Sequence, residues 1–192
     1  MDETTGRNSL IRRLAGQVYI DLWTVTVGVV VNGVLGSWLV PRPLRLLGYR
    51  ALGARVRSGN IFPGLRVVGS MRNLEIGSRT FLNCECYLET VGRVTIGDGC
   101  QFGPQVMIVT SHHERLPDGT VSRVAEPKPV VVGDRVWVGA RAQILPGVRI
   151  ADDVVIAAGA VVSRDCEVAG VYAGVPARLV GAGGDIRAVE GA

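Results

Sequence analysis

Apolar residues recur at every sixth position through the second half of the chain. The aliphatic series is unbroken at Val132, Val138, Ile144, Ile150, Ile156, Val162 and Val168. A second apolar series lies two residues ahead of it, at Val130, Val136, Ala142, Val148, Val154, Ala160 and Cys166. Side chains two positions apart on a strand share a face, so both series are expected to point inward. The pattern predicts short strands separated by turns, with three such repeats completing each triangular coil of a solenoid.

The same double pattern continues toward the N terminus. Its members there are Val94/Ile96, Cys100/Phe102 and Val106/Ile108 and, after a shift of two residues, Leu74/Ile76, Thr80/Leu82 and Cys86/Leu88. The repeats are therefore predicted to run from about Leu74 to Val168. We assign residues 61–169 to the solenoid domain, residues 1–60 to an N-terminal extension and connector, and residues 170–192 to a C-terminal tail.

Small residues often follow the aliphatic position. They are Gly77, Gly97, Gly103, Gly133, Gly139, Ala151 and Ala157. Glycine adopts positive φ at no steric cost, so a sharp turn with positive φ is expected here.

The repeat lapses between Ile108 and Val132, and the interval is still a multiple of six. We therefore predict that a loop over about residues 111–129 leaves the coil and that the coil then resumes. The loop carries both histidines of the chain, His112 and His113. Loops on a rigid scaffold commonly carry function, and imidazole can act as a general base near neutral pH.

Residues 22–40 form an uncharged run of 19 residues, which is long enough to span a bilayer as a helix. Polar residues and glycines within the run favour a helix or strand that packs on the main domain or lies on a membrane surface, and a true span stays as the alternative. The run has no signal-peptide cleavage site, so we expect a cytoplasmic protein, with membrane association open.

Charge and cysteine content exclude other classes. The chain has 192 residues and a net charge of +4, with arginine supplying every basic group but Lys128. The basic residues form no cluster interleaved with aromatics, so no nucleic-acid partner is expected. The four cysteines form no C-x-x-C pair and the two histidines are adjacent, so no structural zinc is expected. Three of the cysteines are predicted to be reduced core residues, Cys86, Cys100 and Cys166.

The segment G-P-Q-V-M-I-V-T-S-H-H-E resembles the hexapeptide-repeat acyltransferases, in the sugar O-acetyltransferase branch of the maltose, galactoside and nodulation-factor type. The resemblance implies an all-β solenoid, a left-handed parallel β-helix with one ejected active-site loop. It implies that His113 is the catalytic base, with His112 as the alternative. The stretch T-F-L-N-C-E resembles the family's acceptor strand and implies that Asn83 and Glu85 bind substrate. The family's sugar-binding acidic residue has no match in residues 90–93.

The stretches V-V-V-G-D-R-V-W-V-G-A and I-A-A-G-A-V-V-S-R-D resemble the coils that line the family's coenzyme A cleft. The resemblance implies acetyl-CoA as co-substrate, with no metal, and it implies cofactor contacts at Ala140, Ala158, Ser163, Arg164 and Arg178. It also implies that Trp137 lies beside a substrate cleft between the subunits of a homotrimer.

We therefore expect a CoA-dependent O-acetyltransferase that acts on a hydroxyl of a sugar or glycosylated small molecule. Two alternatives stay open: an N-acetyltransferase acting on an amino sugar or antibiotic, and a β-helix scaffold without catalysis. The N-terminal 60 residues resemble the apolar extension of acyltransferases from polysaccharide and surface-glycan pathways. This likeness implies a lipid-linked glycan acceptor and peripheral membrane contact.

Overall fold

The structure, a computed structural model, describes residues 27–182 and, ahead of them, residues 15, 16, 18, 21, 22, 24 and 25, which are helical. A π-helix covers Val27–Leu35 and an α-helix, α1, covers Arg42–Ala51. A 3₁₀ turn lies at Met71–Asn73. Within the apolar run at residues 22–40, residues 22, 24, 25 and 27–35 are helical, and residues 36–40 form a turn. Residues 23 and 26 lie outside the described set.

Most of the described chain is wound into a three-sided parallel solenoid. The first sheet holds β1 (Arg55–Val56), β4 (Leu74–Ile76), β7 (Val94–Ile96), β12 (Val130–Val132) and β15 (Arg149–Ile150). The second holds β2 (Gly59–Ile61), β5 (Thr80–Leu82), β8 (Gln101–Phe102), β13 (Trp137–Val138), β16 (Val155–Ile156), β18 (Gly170–Ala173) and the antiparallel β19 (Arg178–Ala182). The third holds β3 (Arg66–Gly69), β6 (Tyr87–Thr90), β9 (Met107–Ile108), β14 (Gln143–Ile144) and β17 (Val161–Val162).

The register of the sheets reproduces the period read from the sequence. Trp137 pairs with Val155, one coil of three hexapeptides further on. In the earlier coils the spacing is longer, as between Arg55 and Glu75, because their turns hold extra residues. The strand β1 and the first two residues of β2 precede residue 61, so the first coil includes residues that we assigned to the N-terminal connector.

The two inward series form the core, as predicted. Nearly all of their members are fully buried, including Cys86, Cys100 and Cys166. Val168 is the exception, and its assignment to the core is wrong because its side chain is 56% exposed. The chain leaves the coil after Cys166, which bridges to Ile150, and re-enters the second sheet at Gly170.

The predicted positive φ at the small residues is also wrong. The left-handed residues stand two positions later, at Arg79, Gly99, Arg135 and Asp153 on one edge and at Glu85, Gln105, Arg141 and Gly159 on another. Close packing of successive coils explains the glycines instead. A Cβ on Gly97 would lie 2.5 Å from the carbonyl oxygen of Gly133, which is closer than real Cβ atoms approach.

The N-terminal helices pack on the first coil through buried polar contacts. The side chain of Asn32 donates to the carbonyl of Val67 and accepts from its amide, at 3.1 and 2.8 Å. Arg45 is buried, and its guanidinium donates to backbone carbonyls of both the π-helix and β2, Leu35 at 2.6 Å and Ile61 at 2.7 Å. Of the helices in the described part of the chain, none is long and apolar enough to cross a membrane.

Candidate active site

The predicted loop is a β-hairpin that projects from the solenoid. Its base is formed by β10 (Ser111–His112) and β11 (Glu126–Pro127), which pair antiparallel between the third and first sheets. A bridge between Arg115 and Val121 continues the hairpin outward. Both histidines therefore stand where the hairpin leaves the coil.

The ring of His113 is oriented by the opposite strand of the hairpin. Its Nδ1 lies 2.9 Å from the carbonyl oxygen of Ser122. A carbonyl oxygen can only accept a hydrogen bond, so Nδ1 carries the hydrogen and donates it. In the neutral ring Nε2 is then unprotonated and can accept a proton. This arrangement gives His113 the form that a general base needs.

Glu89, on β6, is a site residue that the sequence reasoning missed. Its Oε2 accepts the amides of Thr110 and Ser111 at 2.9 and 2.8 Å, just before the histidines. Burial alone would raise the pKa of Glu89, but these hydrogen bonds and the nearby imidazole of His113 hold that pKa below its ordinary value.

A mainly apolar groove of about 470 Å³ lies where the second sheet turns into the third. Trp137, Ala140 and Ala158 line it, so three of the residues predicted to bind substrate or cofactor lie together. The rest of the wall consists of glycine, alanine, proline, valine and isoleucine residues. A Cβ on Gly139 would lie 2.5 Å from the amide nitrogen of Ala158, which shows how tightly the coils stack there.

Glu85, one of the two residues predicted to bind the acceptor, lies next to this groove. Glu85 lines a neighbouring cavity of about 630 Å³ that shares Ala140 and Ala158 with the groove. Its Oε2 accepts from Gln105 at 2.6 Å, and Gln105 in turn accepts from the Nε of Arg141 at 2.8 Å.

Asn83 is half-buried, and its side-chain oxygen accepts the amide of Cys84 at 2.8 Å. That bond is local, so the side chain of Asn83 stabilises the turn after β5.

The remaining predicted cofactor residues are exposed and lie outside the walls of the groove. Ser163 and Arg164 follow β17, and Arg178 begins β19 and donates to the carbonyl of Ala177 at 2.8 Å.

His113 also lies outside the groove walls. The groove adjoins the turn before β9 and His113 follows β9, so the third sheet separates the two within one chain.

The buried thiols of Cys86 and Cys166 are not candidates for chemistry. Burial raises the pKa of Cys86 to about 12 and that of Cys166 to about 11. Thiols of that kind are protonated at neutral pH and are poor nucleophiles and metal ligands. Within the part of the chain that the structure describes, no three His, Cys, Asp or Glu side chains are grouped to hold a metal ion.

Comparison with known proteins agrees with this architecture. Residues 129–164 match the family model described as bacterial transferase hexapeptide (six repeats). Nodulation protein L of Rhizobium meliloti is 41% identical over 109 residues, which are 57% of this chain and 60% of that protein. Galactoside O-acetyltransferase of Escherichia coli is 34% identical over 112 residues, covering 56% of this chain and 53% of the enzyme. The chain thus spans 60% or less of the length of these relatives.

Solved structures extend the likeness beyond the repeats. A hexapeptide-repeat acetyltransferase of Vibrio cholerae complexed with acetyl coenzyme A superposes with a TM-score of 0.76 at 25% identity, covering 85% of this chain and 88% of that one. A maltose O-acetyltransferase of Clostridium difficile gives 0.74 at 28% identity, with 83% and 84% covered. Residues 129–164 of this chain therefore carry the hexapeptide repeat of bacterial transferases, and the chain shares the left-handed β-helix fold of the hexapeptide-repeat acetyltransferases.

Proposed function

We propose that this protein transfers an acetyl group from acetyl-CoA to a hydroxyl of a sugar or glycosylated small molecule. The observation that carries the proposal is the hydrogen bond between Nδ1 of His113 and the carbonyl of Ser122, because it leaves Nε2 free to accept a proton. The sugar O-acetyltransferases among the relatives and the acetyl coenzyme A complex among the solved structures support the same reaction class.

The donor requires a long, narrow groove, and the residues present fit that requirement. Its pantetheine arm is thin and flexible, and the groove beside Ala140 and Ala158 lets such an arm approach the backbone. Arginines pair well with phosphates, so Arg164 and Arg178, both exposed, would hold the phosphates of the donor.

The chemistry needs few groups. Bound acetyl-CoA would supply an acetyl group already activated as a thioester. Nε2 of His113 accepts the proton of the acceptor hydroxyl while the hydroxyl oxygen bonds to the carbonyl carbon of the acetyl group. When the bond between that carbon and the thioester sulfur breaks, Nε2 gives the proton to the sulfur. Backbone amides of Ala140 and Ala158, at turns along the groove, are our candidates to stabilise negative charge on the carbonyl oxygen.

We propose that the active site is shared between neighbouring copies of the chain in a homotrimer. Within one chain the groove and His113 lie at opposite ends of β9, so a complete site needs the groove of one subunit to face the hairpin of the next. The hairpin offers Leu116, Val121 and Val124 as exposed apolar side chains for such a contact.

The test is a thiol-release assay with acetyl-CoA and a panel of glycosides, amino sugars and aminoglycoside antibiotics. We expect His113→Ala to lower kcat by about 10²- to 10⁴-fold, the range found for loss of a general base. His112→Ala is the matched control, since it removes the neighbouring imidazole, and it should retain wild-type activity within a few-fold. Full activity in His113→Ala would overturn the assignment, and acetylation of amines alone would favour the N-acetyltransferase.

A further inference from the structure

Several large apolar side chains are exposed near the N terminus of the described chain, and four of them lie in α1 and in the turn before it. Trp38 and Leu39 are 73% and 90% exposed in the turn between the π-helix and α1. Leu44 and Leu47 are exposed one helical turn apart on α1, whereas Arg45 between them is buried. We call these four exposed residues the N-terminal apolar surface. Clustered exposure of this kind marks a site of interaction.

The backbone under this surface is held firmly. The buried guanidinium of Arg45 donates through Nη2 to the carbonyls of Ser37 and Val40 at 2.7 and 2.8 Å. The amide of Gly64, in the first coil, donates to the carbonyl of Gly36 at 2.7 Å. The turn is therefore tied to both α1 and the solenoid. Its exposed side chains stand on a fixed backbone rather than on a frayed end.

The segment of chain that carries the surface has basic residues and no acidic ones. Residues 22–74 contain seven arginines and no aspartate, glutamate or lysine, whereas residues 75–182 contain twelve acidic and ten basic residues. Arg42 stands at the first turn of α1. Arg50, in its last turn, donates to the carbonyls of Val56 and Arg57. The guanidinium of Arg42 packs over the ring of Phe62 at 4.4 Å and donates to Asn60, so Arg50 is the exposed basic residue that follows the leucines on α1.

From this geometry we infer that the N-terminal apolar surface docks on the surface of an anionic phospholipid bilayer. An amphipathic helix with arginines beside its apolar face suits the interface between head groups and acyl chains, where tryptophan is also favoured. Arginine side chains add attraction to anionic head groups. A second copy of the chain is a poorer occupant, because its own arginines would repel this surface. The inference does not depend on the transferase activity.

Co-sedimentation with vesicles tests the inference. The full chain is mixed with vesicles of phosphatidylcholine alone or of phosphatidylcholine with phosphatidylglycerol. We expect binding to the mixed vesicles, weakening as salt is added because the attraction is screened. The double variant Trp38→Ser with Leu39→Ser should lower the partition coefficient by about tenfold or more, since two large apolar side chains no longer enter the bilayer. Val168→Ser, which alters an exposed valine at the other end of the solenoid, should bind as the wild type does.

Several results would overturn the inference. One is a wild-type protein that stays in the supernatant with both kinds of vesicle. Another is equal binding by the double variant, whose fold is checked by circular dichroism and by its melting temperature. A third is a wild-type protein that self-associates without binding vesicles, together with a double variant that does not self-associate. That result would assign the surface to contact with a second copy of the chain. Acetyl transfer, measured separately, has no bearing on these outcomes.

Discussion

Glu89 and Arg45 are charged residues whose partners in this protein are backbone groups. Glu89 accepts two amides at the start of the hairpin, and Arg45 donates to four carbonyls around the N-terminal turn. Such roles are hidden in a sequence, because the backbone groups that approach a side chain depend on how distant segments pack. The motif predicted His113 as the base, whereas the fold revealed the carbonyl of Ser122 that contacts its ring and the carboxylate of Glu89 that holds the start of the hairpin.

Glu89→Gln tests whether this carboxylate positions the base. We expect kcat to fall about tenfold while the KM for acetyl-CoA is unchanged, because the variant loosens the start of the hairpin and leaves the groove intact. Steady-state kinetics with the acceptor found by the panel would measure this. Glu114→Gln, an exposed carboxylate on the same hairpin, is the matched control and should leave both constants unchanged. A change in KM alone would contradict a positioning role.

The lowered pKa of Glu89 also predicts how stability depends on pH. A carboxyl whose pKa is lower in the folded state stabilises the fold above its unfolded pKa, and that stabilisation is lost as the pH falls through the folded pKa. The difference in melting temperature between the wild type and Glu89→Gln should therefore be largest near neutral pH and shrink in acid.

At the scale of the coil, side chains link each turn to the next. Oδ1 of Asp134 accepts the amide of Asp98, and Oδ1 of Asp152 accepts the amide of Asp134, both at 2.8 Å. The glycines before these aspartates leave room for the contact, since a Cβ on Gly133 would lie 2.3 Å from Oδ1 of Asp152. Ala140 and Ala158, which line the groove, follow the stacked glycine and alanine positions of the coils and have small side chains.

Ala158→Leu tests the groove. Ala158 is exposed, so the larger side chain should be tolerated by the fold and extend into the space assigned to the donor. We expect the affinity for coenzyme A, measured by calorimetry, to fall about tenfold or more because the groove is narrowed. Ala169→Leu, which enlarges an exposed alanine outside the groove walls, is the control and should bind normally. Unchanged binding in a folded Ala158→Leu protein would move the donor elsewhere.

At the scale of the whole molecule, the third sheet lies between the groove and the hairpin that carries His113, the base that we propose. The hairpin projects away from the coil after β9, and the groove adjoins the turn before β9. A cyclic assembly with the same contact at each boundary would bring the two together, because each subunit would offer its groove to one neighbour and its hairpin to the other.

Mixed oligomers test this arrangement. His113→Ala keeps the groove and Ala158→Leu keeps the proposed base, so at acetyl-CoA concentrations well below the KM each variant alone should have about a tenth of wild-type activity or less. In a cyclic trimer assembled from equal amounts of the two, about a quarter of all sites would pair an intact base with an intact groove. Co-expressed subunits should therefore recover about a quarter of wild-type thiol release per site, as follows from that symmetry. No recovery in mixtures shown to exchange subunits would place the whole site within one chain.

The sequence by itself determined the solenoid. Two of every six residues point into its core, so the apolar residues recur with a period of six that is visible in the sequence. It also determined the place of the hairpin and the histidine that the hairpin carries. The tertiary structure decided where the coil begins, why Val168 is outside it, and that the turn glycines serve close packing at negative φ. It alone decided the tautomer of His113, the partners of Glu89 and Arg45, and the separation of the base from the groove, because contacts between residues far apart in sequence leave no periodic trace.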